Sequence, residues 1–310
     1  MPDVGQTRAY LALTLVVALW GSYPAFAKIA LRHLPPFVLV TLRTGLGSAF
    51  LVALLFRRGW DQFRALGWSD VGRFAFLGFV GLVVSTAGTY LGIAFTTASS
   101  AVILQAATPV MVALGARVYL GERLRPIQWV GVYGSTLGVL LVISRGSWRA
   151  VAQLDLLPGD FILLLAQVGW SAYTIYGKHV LAEHDPALAT TAAYVLGCSM
   201  LLPIAFIVAP LFPSPDLSSL SAWAVVAYQA FLGAVAHVWW YRAVQIVGPS
   251  RAGIFLNIQP VVGLALAAML LGEQASRWKL LGGLLVLAGV AVTARARPRP
   301  LAPGGRSASE

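Results

Sequence analysis

Acidic side chains number 11 in this chain against 22 Lys and Arg, and none of them falls inside a long apolar run. Cysteine is rarer still. Cys198 is alone, which excludes an intramolecular disulfide and any cysteine-built metal cluster. Charged residues make up 11% of the chain, whereas soluble domains carry about a quarter. No Gly-x4-Gly-Lys-Ser/Thr loop is present to cradle nucleotide phosphates, and no His-Glu-x2-His pair to hold catalytic zinc. A nucleotide-driven pump and a zinc peptidase are therefore excluded as readings. The excess of positive charge does not point to nucleic acid, because it lies in short segments between apolar runs.

What the chain has in abundance is hydrocarbon. Apolar residues reach 58%, more than a soluble core of this size absorbs, so the surplus must face lipid. About 20 apolar residues are needed to span a bilayer as a helix. Runs of that order occur near 10–30, 36–56, 73–95, 99–119, 127–144, 160–180, 187–209, 222–244, 250–271 and 278–295. They are too long, and alternate too little, for the strands of a membrane barrel. The reading is an all-α integral membrane protein with ten transmembrane helices. The tail 296–310, rich in Pro, Gly and Ser, is expected to be disordered. Ala25-Phe26-Ala27 superficially resembles a signal-peptidase site. A second copy of that segment deep in the chain argues against cleavage.

That second copy organises everything else. Trp20, Tyr23 and Lys28 recur as Trp170, Tyr173 and Lys178, and Pro36 recurs as Pro186, all at an offset of 150. A later block repeats at 151: Pro109 with Pro260, Gly121–Glu122 with Gly272–Glu273, Gly131 with Gly282 and Gly138 with Gly289. The chain is one five-helix unit written twice, over 10–144 and 160–295. An odd number of spans makes the second unit enter the membrane upside down, the arrangement of secondary transporters whose substrate sits between the halves. Placing the N-terminus in the cytoplasm puts Arg57, Arg58, Arg64, Arg73, Arg117, Arg123 and Arg125 inside. Outside loops then keep only Lys28, Arg32, Arg145, Arg149, Arg277 and Lys279. Both termini are accordingly expected in the cytoplasm, in a plasma or inner membrane.

Few residues inside the spans carry chemistry. Arg43 lies seven residues into its helix, about 10 Å below the end, where arginine costs about 3 kcal/mol. It either snorkels to the interface or faces a central cavity as a carboxylate-binding group. His237 is the one histidine well inside a run and is the candidate for proton coupling, against a packing role for a neutral ring. Trp20, Tyr23, Trp170, Tyr173 and Tyr176 form aromatic faces, with Trp20 and Trp170 too deep for an interfacial belt, suited to lining a cavity or to packing the halves together. Tyr90 and Trp239 are grouped with them. Pro24, Pro109 and Pro260 are expected to kink helices and free carbonyls. Gln105, Asn257 and Gln259 beside them are candidate substrate contacts. Glu122 and Glu273, each after a glycine C-cap, read as structural partners of nearby arginines.

Taken with the Trp20-Gly-Ser-Tyr-Pro segment, the Pro-x11-Gly-Glu blocks and Arg43, the chain resembles the drug/metabolite transporter superfamily in its ten-helix, two-EamA branch. The resemblance covers about residues 10 to 295. It implies a carrier of small organic metabolites, often an exporter of amino acids or related compounds. One departure is that Ala193 stands where a repeat of Arg43 would be. A single Arg in the core suits a zwitterion or neutral compound better than a phosphorylated one. Amines, nucleobases and drugs remain alternative cargoes, and an intramembrane enzyme or a non-transporting scaffold remain alternative functions. The partners expected are a small-molecule substrate and the lipid bilayer, with no nucleic acid, no cofactor and no metal; a homo-oligomer is left open.

Overall fold

The computed structural model describes residues 4–57, 66–120, 126–144, 146–147, 157–247, 252, 255–274 and 276–295. Glu122, Arg123, Arg125, Arg145, Arg149 and the tail 296–310 lie outside these residues, as do the side chains of Pro109 and Asn257. The described residues are helical with no strand. They form α1 (Val4–Ala30), α2 (Pro36–Phe56) and α3 (Trp68–Gly78), which runs through a π-helical stretch (Phe79–Ala87) into α4 (Gly88–Ala94). Then follow α5 (Ala98–Gln105), α6 (Thr108–Leu120), α7 (Pro126–Ser144), α8 (Pro158–Glu183) and α9 (Pro186–Val208). The last are α10 (Leu220–Val247), α11 (Gln259–Leu271) and α12 (Arg277–Arg295). Five helical stretches are long and apolar enough to cross a membrane: Gly5–Ala30, Pro36–Phe56, Trp68–Ala94, Pro186–Leu211 and Leu220–Val247. Leu11, Leu15, Phe206, Ile207 and Met269 are each more than 60% exposed, an outward apolar surface that only lipid can cover. The chain is a multi-pass membrane protein.

Local chemistry sets the helix ends. Pro36 and Pro186, the repeated prolines, start α2 and α9, where the missing N–H costs nothing. Asp185 caps α9 by accepting from the N–H groups of Ala187 and Leu188, at 2.8 and 3.3 Å. Gly272 ends α11 with φ 65°, a left-handed turn that side chains disfavour.

The run expected as one helix over 99–119 is two, with a break at Ala106–Ala107 between α5 and α6. A 3-10 turn, Leu256–Ile258, makes the matching break before α11. Pro109 and Pro260 therefore sit in the first turn of α6 and α11. They start new helices rather than kink old ones, because a residue without an N–H is harmless only in the first turn. Pro24 does lie inside α1, and its missing N–H frees the Trp20 carbonyl one turn earlier.

Packing treats the two copies alike. α1 packs on α10 and α11; correspondingly, α8 packs on the α3–α4 run and on α6. α2 packs on α9 and α10, while α9 packs on α2 and α3. α7 and α12 pack on each other, Gly134 against Gly289 and Val142 against Gly282, so the two run antiparallel. A Cβ on Gly138 would lie 2.6 Å from the Gly282 carbonyl oxygen, and one on Gly282 would lie 2.7 Å from that of Gly138. Bare backbone is what lets these helices close, since van der Waals contact drives association between lipid-soluble helices.

Charged side chains tie the copies together at the ends of the bundle. At one end His33 Nδ1 lies 3.0 Å from Asp216 Oδ2, and the Asp216 N–H donates to the His33 carbonyl at 2.8 Å. At another tie His184 Nε2 lies 3.1 Å from Asp70 Oδ1, and Arg73 pairs with Glu183 at 2.5 Å. Glu273 pairs with no arginine among the described residues. It accepts from the N–H groups of Ala98 and Ser99, both at 3.0 Å, and from the Ser99 hydroxyl at 2.6 Å. The second copy thereby caps a helix of the first, and the acid is structural in a way the local sequence does not announce.

Candidate functional site

The repeated tryptophans of α1 and α8 meet. Trp20 and Trp170 lie edge to face with ring centroids 5.1 Å apart. Below them is a cavity walled by α1, α2, α4, α8 and α10 and by both helix breaks. Its open space is about 100 Å³, well under the roughly 300–1,000 Å³ of small-molecule sites. A metabolite entering it must push side chains apart.

Arg43 dominates the electrostatics. It is 3% exposed, so the guanidinium is held in the cavity wall and does not snorkel to the interface. Its carbon lies 5.5 Å from the Tyr23 ring centroid and 5.4 Å from that of Tyr90, and each such face contributes about 0.5–2 kcal/mol. The Tyr90 and Tyr194 side chains lie beside its charge. Tyr90 donates onward to Gln229 Oε1, and Gln229 Nε2 reaches the Tyr23 carbonyl at 3.5 Å. Among the described residues no carboxylate lies within 4.0 Å of Arg43, and its Nε has no partner. The indole N–H of Trp20 and the hydroxyl of Tyr23 are also buried and unpaired. This wall is rich in donors that nothing among the described residues satisfies.

His237 joins the same network. Its Nδ1 lies 2.9 Å from the Tyr194 hydroxyl and 2.9 Å from the Gly233 carbonyl. A carbonyl only accepts, so Nδ1 carries a proton and Nε2 is the nitrogen left to gain or lose one. Its ring packs 5.1 Å from Trp20 and 5.7 Å from Trp170.

The rest of the lining includes amides and hydroxyls. Gln105 and Thr108 flank the first helix break, Gln259 follows the second, and Gln167 projects from α8. Thr108 Oγ1 lies 2.8 Å from Gln167 Oε1 and also contacts the Gln105 carbonyl. Ser85 and Thr86 of the π-helical stretch and Thr89 of α4 complete it. π-Helical turns recur at functional sites because they re-aim side chains.

The structure thus brings together Trp20, Tyr23, Arg43, Tyr90, Gln105, Trp170, His237 and Gln259. Three expected residues are elsewhere. Tyr173 is 1% exposed and stacks on Tyr241 at 4.9 Å. Tyr176 turns to Phe76 at 4.8 Å. Trp239 is 41% exposed and faces outward, whereas its neighbour Trp240 is 1% exposed and packs 5.3 Å from Trp20. Thr108, beside Gln105 at the first break, also lines the cavity, while Gln167, Ser85, Thr86 and Thr89 belong to it without having been singled out from sequence. Gln167 carried a usable signal, since it precedes Trp170 by three residues on one helix and must share its face.

Two copies of one unit around a central polar cavity agree with what the chain is similar to. The model of the EamA-like transporter family matches it twice, over residues 7–144 and 157–295. This chain belongs to that family. Among its relatives, the uncharacterised transporter YyaM of Bacillus subtilis is 26% identical over 270 residues, covering 85% of this chain and 86% of that protein. A probable amino-acid metabolite efflux pump of Salmonella typhimurium is 29% identical over 300 residues, covering 93% of this chain and 94% of that pump. A solved crystal structure superposes with a TM-score of 0.64 at 19% identity, over 92% of this chain and 96% of that one, a likeness of fold alone.

Proposed function

We propose that this EamA-family protein is a secondary carrier that crosses the membrane ten times as two inverted five-helix halves. It moves a small organic metabolite by alternating access between them. Support comes from the packing pattern that survives exchange of the copies and from the antiparallel register of α7 and α12. An inverted pair has two packings of equal kind, and exchanging them opens the central cavity to either side.

The proposed cargo is an amino acid or a related metabolite bearing a carboxylate. The observation that carries this reading is Arg43, 3% exposed and without a carboxylate partner among the described residues. An uncompensated buried charge is costly, and an entering carboxylate supplies the missing charge. The unpaired Trp20 and Tyr23 donors sit in the same cavity to complete its hydrogen bonds. The Gln105, Gln167 and Gln259 wall offers both donors and acceptors to the rest of the molecule. Proton coupling through His237 Nε2, export from the cell, a plasma-membrane location and cytoplasmic termini belong to the same reading. The cation distribution supports the orientation, and the Salmonella relative's efflux name supports the direction.

Counterflow in proteoliposomes, run against amino acids, amines and nucleobases, tests the proposal. Saturable flux of carboxylate-bearing solutes that disappears in Arg43→Gln is the expected result. Flux confined to amines or nucleobases, or unchanged in Arg43→Gln, overturns it.

A further inference from the structure

A second cavity, of about 380 Å³, lies beyond the first, lined by Lys28, Arg32 and Glu273 together with Leu31, Ala94 and Leu271. Its walls belong to elements that also wall the central cavity. On α1, Lys28 is five residues past Tyr23, a rise of about 7.5 Å. On α4, Ala94 follows Ile93, which lines the central cavity. α5 starts beside Glu273 and ends at Gln105, and α11 starts at Gln259 and ends at Leu271. The two cavities are successive chambers along one bundle of helices.

The outer chamber is positive. Glu273, held ionised by the N–H and hydroxyl donors at the start of α5, adds one negative charge that reaches Lys28, but Lys28, Arg32 and nearby Lys279 outnumber it. Lys279 itself is committed, donating to Thr97 and Ser99 at 2.8 and 2.9 Å. Lys28 and Arg32 make no ion pair among the described residues. Two cations above a floor of Leu and Ala suit an organic anion, its carboxylate at Lys28 and Arg32 and its body on the apolar side.

We infer that this vestibule, between Lys28 and Arg32, is a second binding site for the carboxylate of the cargo, occupied on the way between the central cavity and one membrane face. The inference rests on the carrier reading. Electrostatic attraction at a channel mouth raises local anion concentration and fades with salt. Lys28→Gln should therefore raise the KM for flux from that face several-fold at low salt and flatten its salt dependence. Lys28→Arg should restore both, which a merely structural lysine would not require.

The direct test uses amine acylation of the intact protein in phosphatidylcholine nanodiscs, followed by mass spectrometry. The chain's lysines are Lys28, Lys178 and Lys279, so each is read separately. Benzoate serves as the carboxylate probe against chloride of equal ionic strength. Acylation of Lys28 slowed at least threefold by benzoate, with Lys178 unchanged, is the expected result. Equal rates in the two salts overturn the inference. Protection by phosphatidylglycerol in the disc but not by benzoate also overturns it, assigning the cations to a lipid headgroup. Flux that depends on Arg43 while Lys28 stays unprotected sinks the vestibule alone; loss of the carrier reading shows instead in the Arg43→Gln counterflow.

Discussion

Two helix contacts that the repeat makes equivalent have gone opposite ways. Where α2 meets α10, Arg43 sits against Gly233, and a Cβ there would lie 3.1 Å from the guanidinium Nη2. Where α9 meets α3, Ala193 occupies the corresponding place, fully buried. Its carbonyl oxygen would lie 2.7 Å from a Cβ on Gly78. Glycine is used in both, once to make room for a charge and once to bring two backbones together. The lesson is that duplication supplied the scaffold, and a charge admitted into one of two equivalent helix contacts supplied the polar site. The repeated tyrosines follow suit: Tyr23 faces Arg43, whereas Tyr173, with no charge to face, stacks on Tyr241.

The comparison can be broken most severely at Arg43. Arg43→Gln should lower carrier turnover about 100-fold, roughly 2.7 kcal/mol of lost stabilisation, with the fold retained on size exclusion. Ala193→Arg probes the closed contact, where a second charge without room should cost about 3 kcal/mol or more. Aggregation or a fall in melting temperature would register it, and a stable, active variant would refute the closed-contact account.

Glu273 tests the cap that ties the copies together. Burial alone would push its carboxyl up, but the Ser99 hydroxyl, the Ser99 and Ala98 N–H groups and Lys279 hold it below the usual range. A lowered value means the cap stabilises fully above the ordinary carboxyl range and is lost as pH falls through the folded value. Melting temperatures between pH 7 and about pH 3, a span from well above to well below the usual carboxyl value of about 4.3, should fall in the native protein and fall less in Glu273→Gln. The smallest effects belong to the tryptophan neighbours. Trp240→Phe should weaken transport several-fold through its contact with Trp20. Trp239→Phe, on the exposed face, should change it less than about twofold. Equal effects would mean that α10 is rotated from the arrangement described.

Much of the architecture was legible because its signals are local or one-dimensional. Hydrocarbon content declares a membrane, and identical residues at a constant offset declare a duplication. Pro36, Pro186 and Gly272 mark helix ends through the backbone's own hydrogen bonding and sterics. Buried Arg43 could be suspected from the cost of its charge in lipid. The cavity's other members were harder to read. A helix that is apolar all round carries no stripe to say which face is inward, so Trp239 and Trp240 look alike, as do Tyr23 and Tyr173. Glu273 looked like the partner of adjacent arginines because its actual partners, Ala98 and Ser99, are distant in sequence.

By itself the sequence determined the solvent, the duplication, the residues at the helix ends and the presence of an intramembrane cation. Each follows from composition, spacing or the chemistry of one residue. Only the tertiary structure decided which side chains share the cavity, that Pro109 and Pro260 begin helices, and that Arg43 faces tyrosines with no acid beside it among the described residues. Those outcomes depend on helix rotation and on partners on other helices, and lipid, being apolar on every side, leaves no trace of them in the hydrophobic pattern.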